Sequence, residues 1–234
     1  GAALLNSGVH TCLQAVSAIC PSPLGRIEPL AEGDGQPGRP LSPEGSASAF
    51  VFKTSIDQFS GKLSFVKIIT GQIRGDTDLI NGREKRKEKI TKVHTCTGKK
   101  LEETDALVAG DIGILNKLAA AATNDTLHSP DFEVAYQPLP LPQPVHAVAI
   151  SAAAKKDEDK LNQLLQRAAE EDLTFRIAFD KETKETVISG MGELHLDNIL
   201  GKVRSQAKIE VQTRVPRVAY RETIRGSASA EYQH

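Results

Sequence analysis

Apolar and polar positions change their period several times along the chain. Val9, Cys12, Leu13, Val16 and Cys20 recur at helical spacing and stop at Pro21 and Pro23, which predicts one helix with the two cysteines on its buried face. Leu24 to Ser48 carries Gly33, Gly35, Gly38, Gly45, Pro37, Pro40 and Pro43, a composition that leaves no room for a packed element. A mobile linker is expected, over 28–48. From Ala49 to His128 the pattern is short apolar or alternating runs: AFVFKT, KLSFVKIIT, DLIN, KITKVHTC and LVAGDIGIL. Runs of this kind with no helical stripe between them predict a small antiparallel β-barrel, with Gly71 and Gly75 at turns or bulges.

YQPLPLPQP at Tyr136 to Pro144 alternates proline with apolar residues and reads as a stiff extended connector. The period then changes again. VHAVAI reads as a strand, and Asp159 to Glu171 as a helix with Leu161, Leu164, Leu165, Ala168 and Ala169 on one face. Phe175, Ile177 and Phe179 alternate with Arg176, Ala178 and Asp180 as a strand with one buried face, and Thr186 to Ser189 is the returning strand of a hairpin. Gly190 and Gly192 bracket Met191 as a hinge. Leu196, Ile199, Leu200 and Val203 form the stripe of a second helix, and KIEVQ at Lys208 to Gln212 a fourth strand. The order βαββαβ is that of a ferredoxin-like sandwich with both helices on one face. Val218 to Ile224 reads as a further strand.

The fold class expected is therefore multidomain β and α+β. Its parts are 1–27, the tail of a preceding domain; 28–48, linker; 49–135, β-barrel; 136–144, Pro-rich connector; 145–217, ferredoxin-like domain; and 218–234, the entry to a next one.

Composition narrows the function classes. The 234 residues carry a net charge of -1 and 25% charged residues, and no apolar window is long enough to span a membrane or to act as a secretory signal. Three cysteines without a CxxC pair argue against a disulfide framework or a zinc site and fit a reducing cytoplasm. The lack of Trp and the three Tyr disfavour an aromatic platform for single-stranded nucleic acid. Charge is nevertheless uneven. Arg83, Lys85, Arg86, Lys87 and Lys89 face only Glu84 and Glu88, and Arg204 to Arg225 is also cationic, which hints at a polyanionic partner. The plainer reading of the first run is the solvated face of a hairpin.

Glu193 and His195 suggest metal or acid–base chemistry, but two residues apart on a helix their side chains diverge by roughly 200°. The plainer reading has Glu193 favouring the helix N-terminus and His195 bonding locally.

Taken together, GAALLNSGV, FVFKTSIDQFSGKLSFVKIITGQIRGD, AGDIGIL, NDTL, EEDLTFRIAFDKETKETVISGMGELHLD and VAYRETIRGSASAEYQH strongly resemble elongation factor G, the translational GTPase that drives translocation on the ribosome. SGMGELHLD is the most specific string; the barrel is shared among many translation factors. The resemblance implies a piece comprising the end of the GTPase domain, domain II, domain III and the start of domain IV. It implies a ribosomal partner, with small-subunit and ribosomal RNA contacts for which Arg83, Lys85, Arg86, Lys87 and Lys89 are the candidates, and tRNA and mRNA reached through other domains. A monomer in the cytoplasm, without membrane contact, is expected.

GTP and magnesium belong to the whole factor. These 234 residues contain no phosphate-binding P-loop, switch or magnesium motif, so no catalytic residue and no metal ligand is assigned, and neither cofactor is expected on this piece alone. Gly1, Ala2 and Ala3 match the remnant of a guanine-contacting loop; by themselves they are equally an ordinary small-residue turn. In the family, fusidic acid binds a cleft beside the second helix, and Thr174, Phe175, His195 and Ile199 match positions lining it. Leu173 stands where the family usually has Pro, so the helix end near Phe175 is expected to differ. The divergence also resembles paralogues that serve ribosome recycling or protection, and a non-catalytic RNA-binding module is the remaining alternative.

Overall fold

A computed structural model describes residues 1–31, 38–57, 60–98, 100–220, 222, 226–227 and 229–233. The chain divides into two compact units, Gly1–Pro140 and Leu141–His234.

The first unit opens with a tight loop and helix α1, Val9–Ile19, which begins and ends where the periodicity predicts. Its cysteines are not buried, however. Cys12 and Cys20 are exposed, as are Leu13, Val16 and Ile19, because none of the described residues covers the helix.

Two short strands follow, β1 (Ile27–Glu28) and β2 (Arg39–Pro40), paired antiparallel. Leu41 is 4% exposed and Ala31 N–H donates to Ala135 O at 2.9 Å, so the described part of the expected linker is packed onto the unit. Residues 32–37 lie outside the described set.

The sheet strands are β3 (Ser48–Asp57), β4 (Gly61–Thr70), β5 (Gln72–Arg74), β6 (Thr77–Asn81), β7 (Arg86–Ile90), β8 (Val93–Thr97), β9 (Lys100–Thr104), β10 (Ala106–Val108), β11 (Ile112–Asn116) and β12 (Thr126–His128). Eight of them form one antiparallel sheet in the order β7-β6-β12-β3-β4-β11-β8-β9, and β5 pairs with β10. Ala49, Val51, Val66, Ile68, Ile90, Val93, Leu107 and Leu127 share one core, which draws residues of widely spaced strands together and curls the sheet around it. Phe50, Ile69, Leu41, Val134 and Tyr136 form a second core on the outer face of β3 and β4. The AFVF run is apolar without alternation because both faces of that strand are covered.

Two expected strands are each two. KITKVHTC breaks at Thr91 and Lys92 into β7 and β8, which lie far apart in the sheet order, and LVAGDIGIL breaks at Gly110, whose φ of 96° reverses the chain. Gly71 and Gly75 sit in turns as expected. Gly71 has φ 63°, and a Cβ there would lie 2.6 Å from Gly45 O.

The second unit is β13 (His146–Ala152), α2 (Glu158–Glu171), β14 (Arg176–Asp180), β15 (Glu185–Gly190), α3 (Glu193–Ala207) and β16 (Val211–Arg214). Its sheet order β14-β15-β13-β16, antiparallel throughout, is that of the βαββαβ sandwich. Leu161 and Leu165 of α2 and Leu196, Ile199, Leu200 and Val203 of α3 pack with Ile150, Phe175 and Ile188 in one core.

Three readings need correction. The last strand starts at Val211, because Lys208 takes φ 55° as the left-handed cap of α3. Phe179 is 61% exposed: it sits on the edge strand β14 opposite the polar side chains Glu158 and Asn162 at the start of α2. Val218 to Tyr220 form no strand, while Arg221, Thr223 and Ile224 lie outside the described residues. Among the described residues no helix is long and apolar enough to cross a membrane.

The Gly-Met-Gly segment depends on size more than on bending freedom. Gly192 has an extended backbone, φ 165°. A Cβ on Gly190 would lie 2.7 Å from both His195 Nδ1 and Leu196 Cδ2. Gly190→Ala is predicted to cost about 1–3 kcal/mol, the range for overfilling a packed site, measured by urea unfolding, whereas Gly192→Ala should cost less.

Candidate functional site

The candidate drug-cleft residues meet at one end of the second unit. Helix α2 ends in Glu170, Glu171 and Asp172, three acids at the end where backbone carbonyls already concentrate negative potential. Asp172 is compensated locally. Its Oδ1 accepts from Thr174 N–H at 2.9 Å and from the Thr174 hydroxyl at 2.6 Å, and its Oδ2 lies 2.9 Å from His195 Nε2. Partial burial pushes this carboxyl up, but the bonds from Thr174 and His195 outweigh it and hold the group below the usual carboxylate range.

His195 is oriented from both ends. Met191 N–H donates to Nδ1 at 3.0 Å, so Nδ1 is the acceptor and the proton resides on Nε2, where it is donated to Asp172. This links the end of α2, the start of β14 and the turn into α3. Phe175 N–H donates to Asp172 O at 3.0 Å, and Phe175 (2% exposed) and Ile199 (8%) belong to the core beneath. Thr174 and His195 thus form the polar surface of the cluster, and Phe175 and Ile199 its buried support. Glu193 makes no part of it. Sequence reasoning missed Asp172, although D-x-T after a helix is a recognisable side-chain-to-backbone turn.

The basic hairpin of the first unit is less uniformly cationic in space than in sequence. Arg83 lies along Asp125, with Nε at 2.7 Å from Oδ1 and Nη2 at 3.1 Å from Oδ2, and it also pairs with Glu84. Lys85 pairs with Glu133, and Lys87 with Asp78 at 2.8 Å. Arg86 and Lys89 are exposed on the edge strand β7 and have no ion pair among the described residues.

Two buried carboxylates anchor this hairpin. Glu88 (3% exposed) accepts the amides of Ala119, Ala120 and Ala121 at 2.8, 2.6 and 3.0 Å. Asp125 (3%) accepts from Asn81, Arg83 and Ala122 N–H. Burial raises the Asp125 carboxyl, yet Arg83 and these donors hold it below the usual range.

Gly1, Ala2 and Ala3 lie in an exposed loop closed by Ala2 N–H to Ser7 O at 2.9 Å and Ser7 N–H to Ala2 O at 3.1 Å. A Cβ on Gly1 would come 2.8 Å from Ser7 O, so smallness is needed for the turn itself. Among the described residues no group of three or more His, Cys, Asp or Glu side chains could hold a metal ion.

Because the Asp125 carboxyl is depressed, its contribution is fully present above the carboxylate range and is lost as pH falls through its folded value. Asp125→Asn should therefore cost about 2–4 kcal/mol at neutral pH in urea unfolding, and the gap to wild type should close on acidification. Long-range proton–nitrogen NMR of His195 should show the Nε2–H tautomer, and Asp172→Ala should release that preference.

Residues 46–130 match the family model of elongation factor G domain 2, and residues 141–215 match that of elongation factor G, domain III. A crystal structure of a protein from Thermus thermophilus is similar, with a TM-score of 0.73 and 26% identity over 90% of this chain and 30% of that one. The chain thus spans under a third of that protein's length. Two successive domain models of a single family, together covering more than half of the residues, make this a translation elongation factor chain of the elongation factor G type.

Proposed function

We propose that this chain is the ribosome-docking and relay portion of a factor that drives GTP-dependent translocation. The observation that carries the reading is the succession of domain II and domain III of that family along one chain. The whole factor would hydrolyse GTP to GDP and phosphate through residues outside these 234, with magnesium at that remote site. The barrel unit would dock on ribosomal RNA of the small subunit, and the βαββαβ unit would pass on the state of the nucleotide. In this scheme the Asp172–His195 junction positions the start of α3 against the GTPase domain. It binds nothing covalently and transfers no proton. The setting would be the cytoplasm, and tRNA and mRNA would be met by other domains.

A recycling or protection role is the second reading, favoured by departures such as Leu173. Rapid-kinetic translocation by the full-length factor separates the two. A translocase advances messenger RNA by one codon per cycle, whereas a recycling factor splits subunits without advancing it.

Docking on RNA should use Arg86 and Lys89, the hairpin cations without an ion pair among the described residues. Arg86→Glu with Lys89→Glu is predicted to weaken ribosome binding and to reduce the slope of log affinity against log salt by about 2, the loss of two phosphate contacts. Lys87→Glu should have less effect, because Asp78 already engages Lys87. Unchanged binding of the double variant at low salt would remove the hairpin from the interface, and an effect of Lys87→Glu equal to the others would show that its pairing with Asp78 does not withdraw Lys87 from it.

A further inference from the structure

The outer face of the barrel sheet carries a cavity that the translation reading does not use. Its volume is about 460 Å³, within the range of small-molecule sites. The floor is apolar and aromatic. Phe50 and Phe52 project from the outer face of β3, Ile69 from β4 and Ile112 from β11, and one wall is the Pro138–Pro140 stretch of the connector. Lys67 is at the centre of this surface, directly opposite Phe50 on one neighbouring strand and Ile112 on the other.

The walls are held in place before any ligand arrives. Thr70 donates to Ser46 O, so Ser48 donates to Thr70 and the Tyr136 hydroxyl donates to Ser48 Oγ at 2.6 Å, a one-way chain that orients the Tyr136 ring lining the cavity. Gln137 N–H donates to Pro29 O at 3.0 Å and Leu139 N–H to Asn124 Oδ1 at 3.0 Å, which pins the proline wall. A wall fixed in this way costs little further ordering on binding.

The polar edge of the cavity is charged and unbalanced. Arg26 Nε, at 2.7 Å, and Lys67 Nζ share a single oxygen, Glu28 Oε1. Among the described residues of the lining, Arg26, Glu28 and Lys67 are the charged ones, so one positive charge is left without a counter-charge among them. Ile112 (61% exposed) and Leu139 (46%) leave apolar surface open beside it.

We propose that this cavity binds a small organic anion whose aromatic or branched aliphatic body lies on Phe50, Phe52 and Ile112 and whose single carboxylate meets Lys67 and Arg26. The fit is one of shape and charge together: an apolar floor that favours a planar body, and a rim that lacks one negative charge. The site is independent of the ribosome reading, because it uses none of the residues of the basic hairpin or of the second unit.

Isothermal titration of the full chain with 2-naphthoate, neutral 2-naphthamide and cationic 2-naphthylmethylamine tests it. The acid should bind saturably and about tenfold more tightly than the amide, the amount one charge-assisted hydrogen bond supplies, with the amine weakest. Lys67→Met keeps the apolar stem and should bring acid and amide to the same affinity. Ile112→Asp, at an exposed position, should weaken both. Failure of the acid to saturate, or equal binding of all three compounds by the wild type, would overturn the proposal; equal binding would mark the face as a non-selective apolar surface for a partner chain. A selectivity unchanged by Lys67→Met would overturn it as well.

Discussion

A carboxylate taken out of water must be given donors, and both units of this protein are arranged around that requirement. In the barrel unit, Glu88 is given three successive backbone amides of the 119–121 loop, and Asp125 the Arg83 guanidinium, the Asn81 amide and Ala122 N–H. In the βαββαβ unit, Glu185 (3% exposed) lies 2.8 Å from Arg214 Nη2 and accepts from Arg217 N–H at 2.9 Å, which ties the hairpin to the strand that closes the sheet. Asp172 is the half-exposed member of the set, placed at a helix end whose potential opposes it and stabilised by Thr174 and His195. Removing any one partner leaves a charge with nowhere to go, which is why these contacts determine local geometry more strongly than the many exposed ion pairs do.

The same accounting sorts the basic residues. A stretch that reads as five cations in sequence presents fewer in space: Arg83 is committed to Asp125, and Lys85 and Lys87 to surface acids, leaving Arg86 and Lys89 on an edge strand. Exposed cations on an edge also protect it from pairing with another strand, so their presence has a structural use whatever they bind. A polyanion would meet these two first. Lys85 and Lys87 are exposed enough to exchange partners.

Much of the fold was legible because it rests on periodicity. Leu196, Ile199, Leu200 and Val203 announced the buried face of α3, and the βαββαβ order followed from alternation and helical stripes alone. What was not legible depended on partners distant in sequence. Thr91 and Lys92 carry no turn chemistry, so the break between β7 and β8 is imposed by the sheet they separate into. The cysteines of α1 fit an apolar face, but a face is buried only if something covers it, and in the described residues nothing does. Glu88 shares inward parity with Ile90 along β7, a signal present in the sequence, yet only the fold shows the amides that await it. Resemblance marks Thr174, Phe175, His195 and Ile199 as the candidate cleft, while Asp172, the carboxylate on which two of them converge, shows locally only as a D-x-T turn, and its bond to His195 comes from a residue 23 positions away that only the fold brings near.

Work on the ribosome through domain II and domain III is the proposal on which the roles of the basic hairpin and of the Asp172–His195 junction rest. An electron cryomicroscopy map of the full-length factor held on ribosomes carrying mRNA and tRNA tests it most directly. Docking as proposed gives density for the barrel unit against small-subunit RNA, with Arg86 and Lys89 within hydrogen-bonding reach of phosphate oxygens and the Asp172–His195 junction facing the GTPase domain. A factor bound elsewhere, or a barrel unit presenting that hairpin to solvent while the ribosome is engaged, would contradict it.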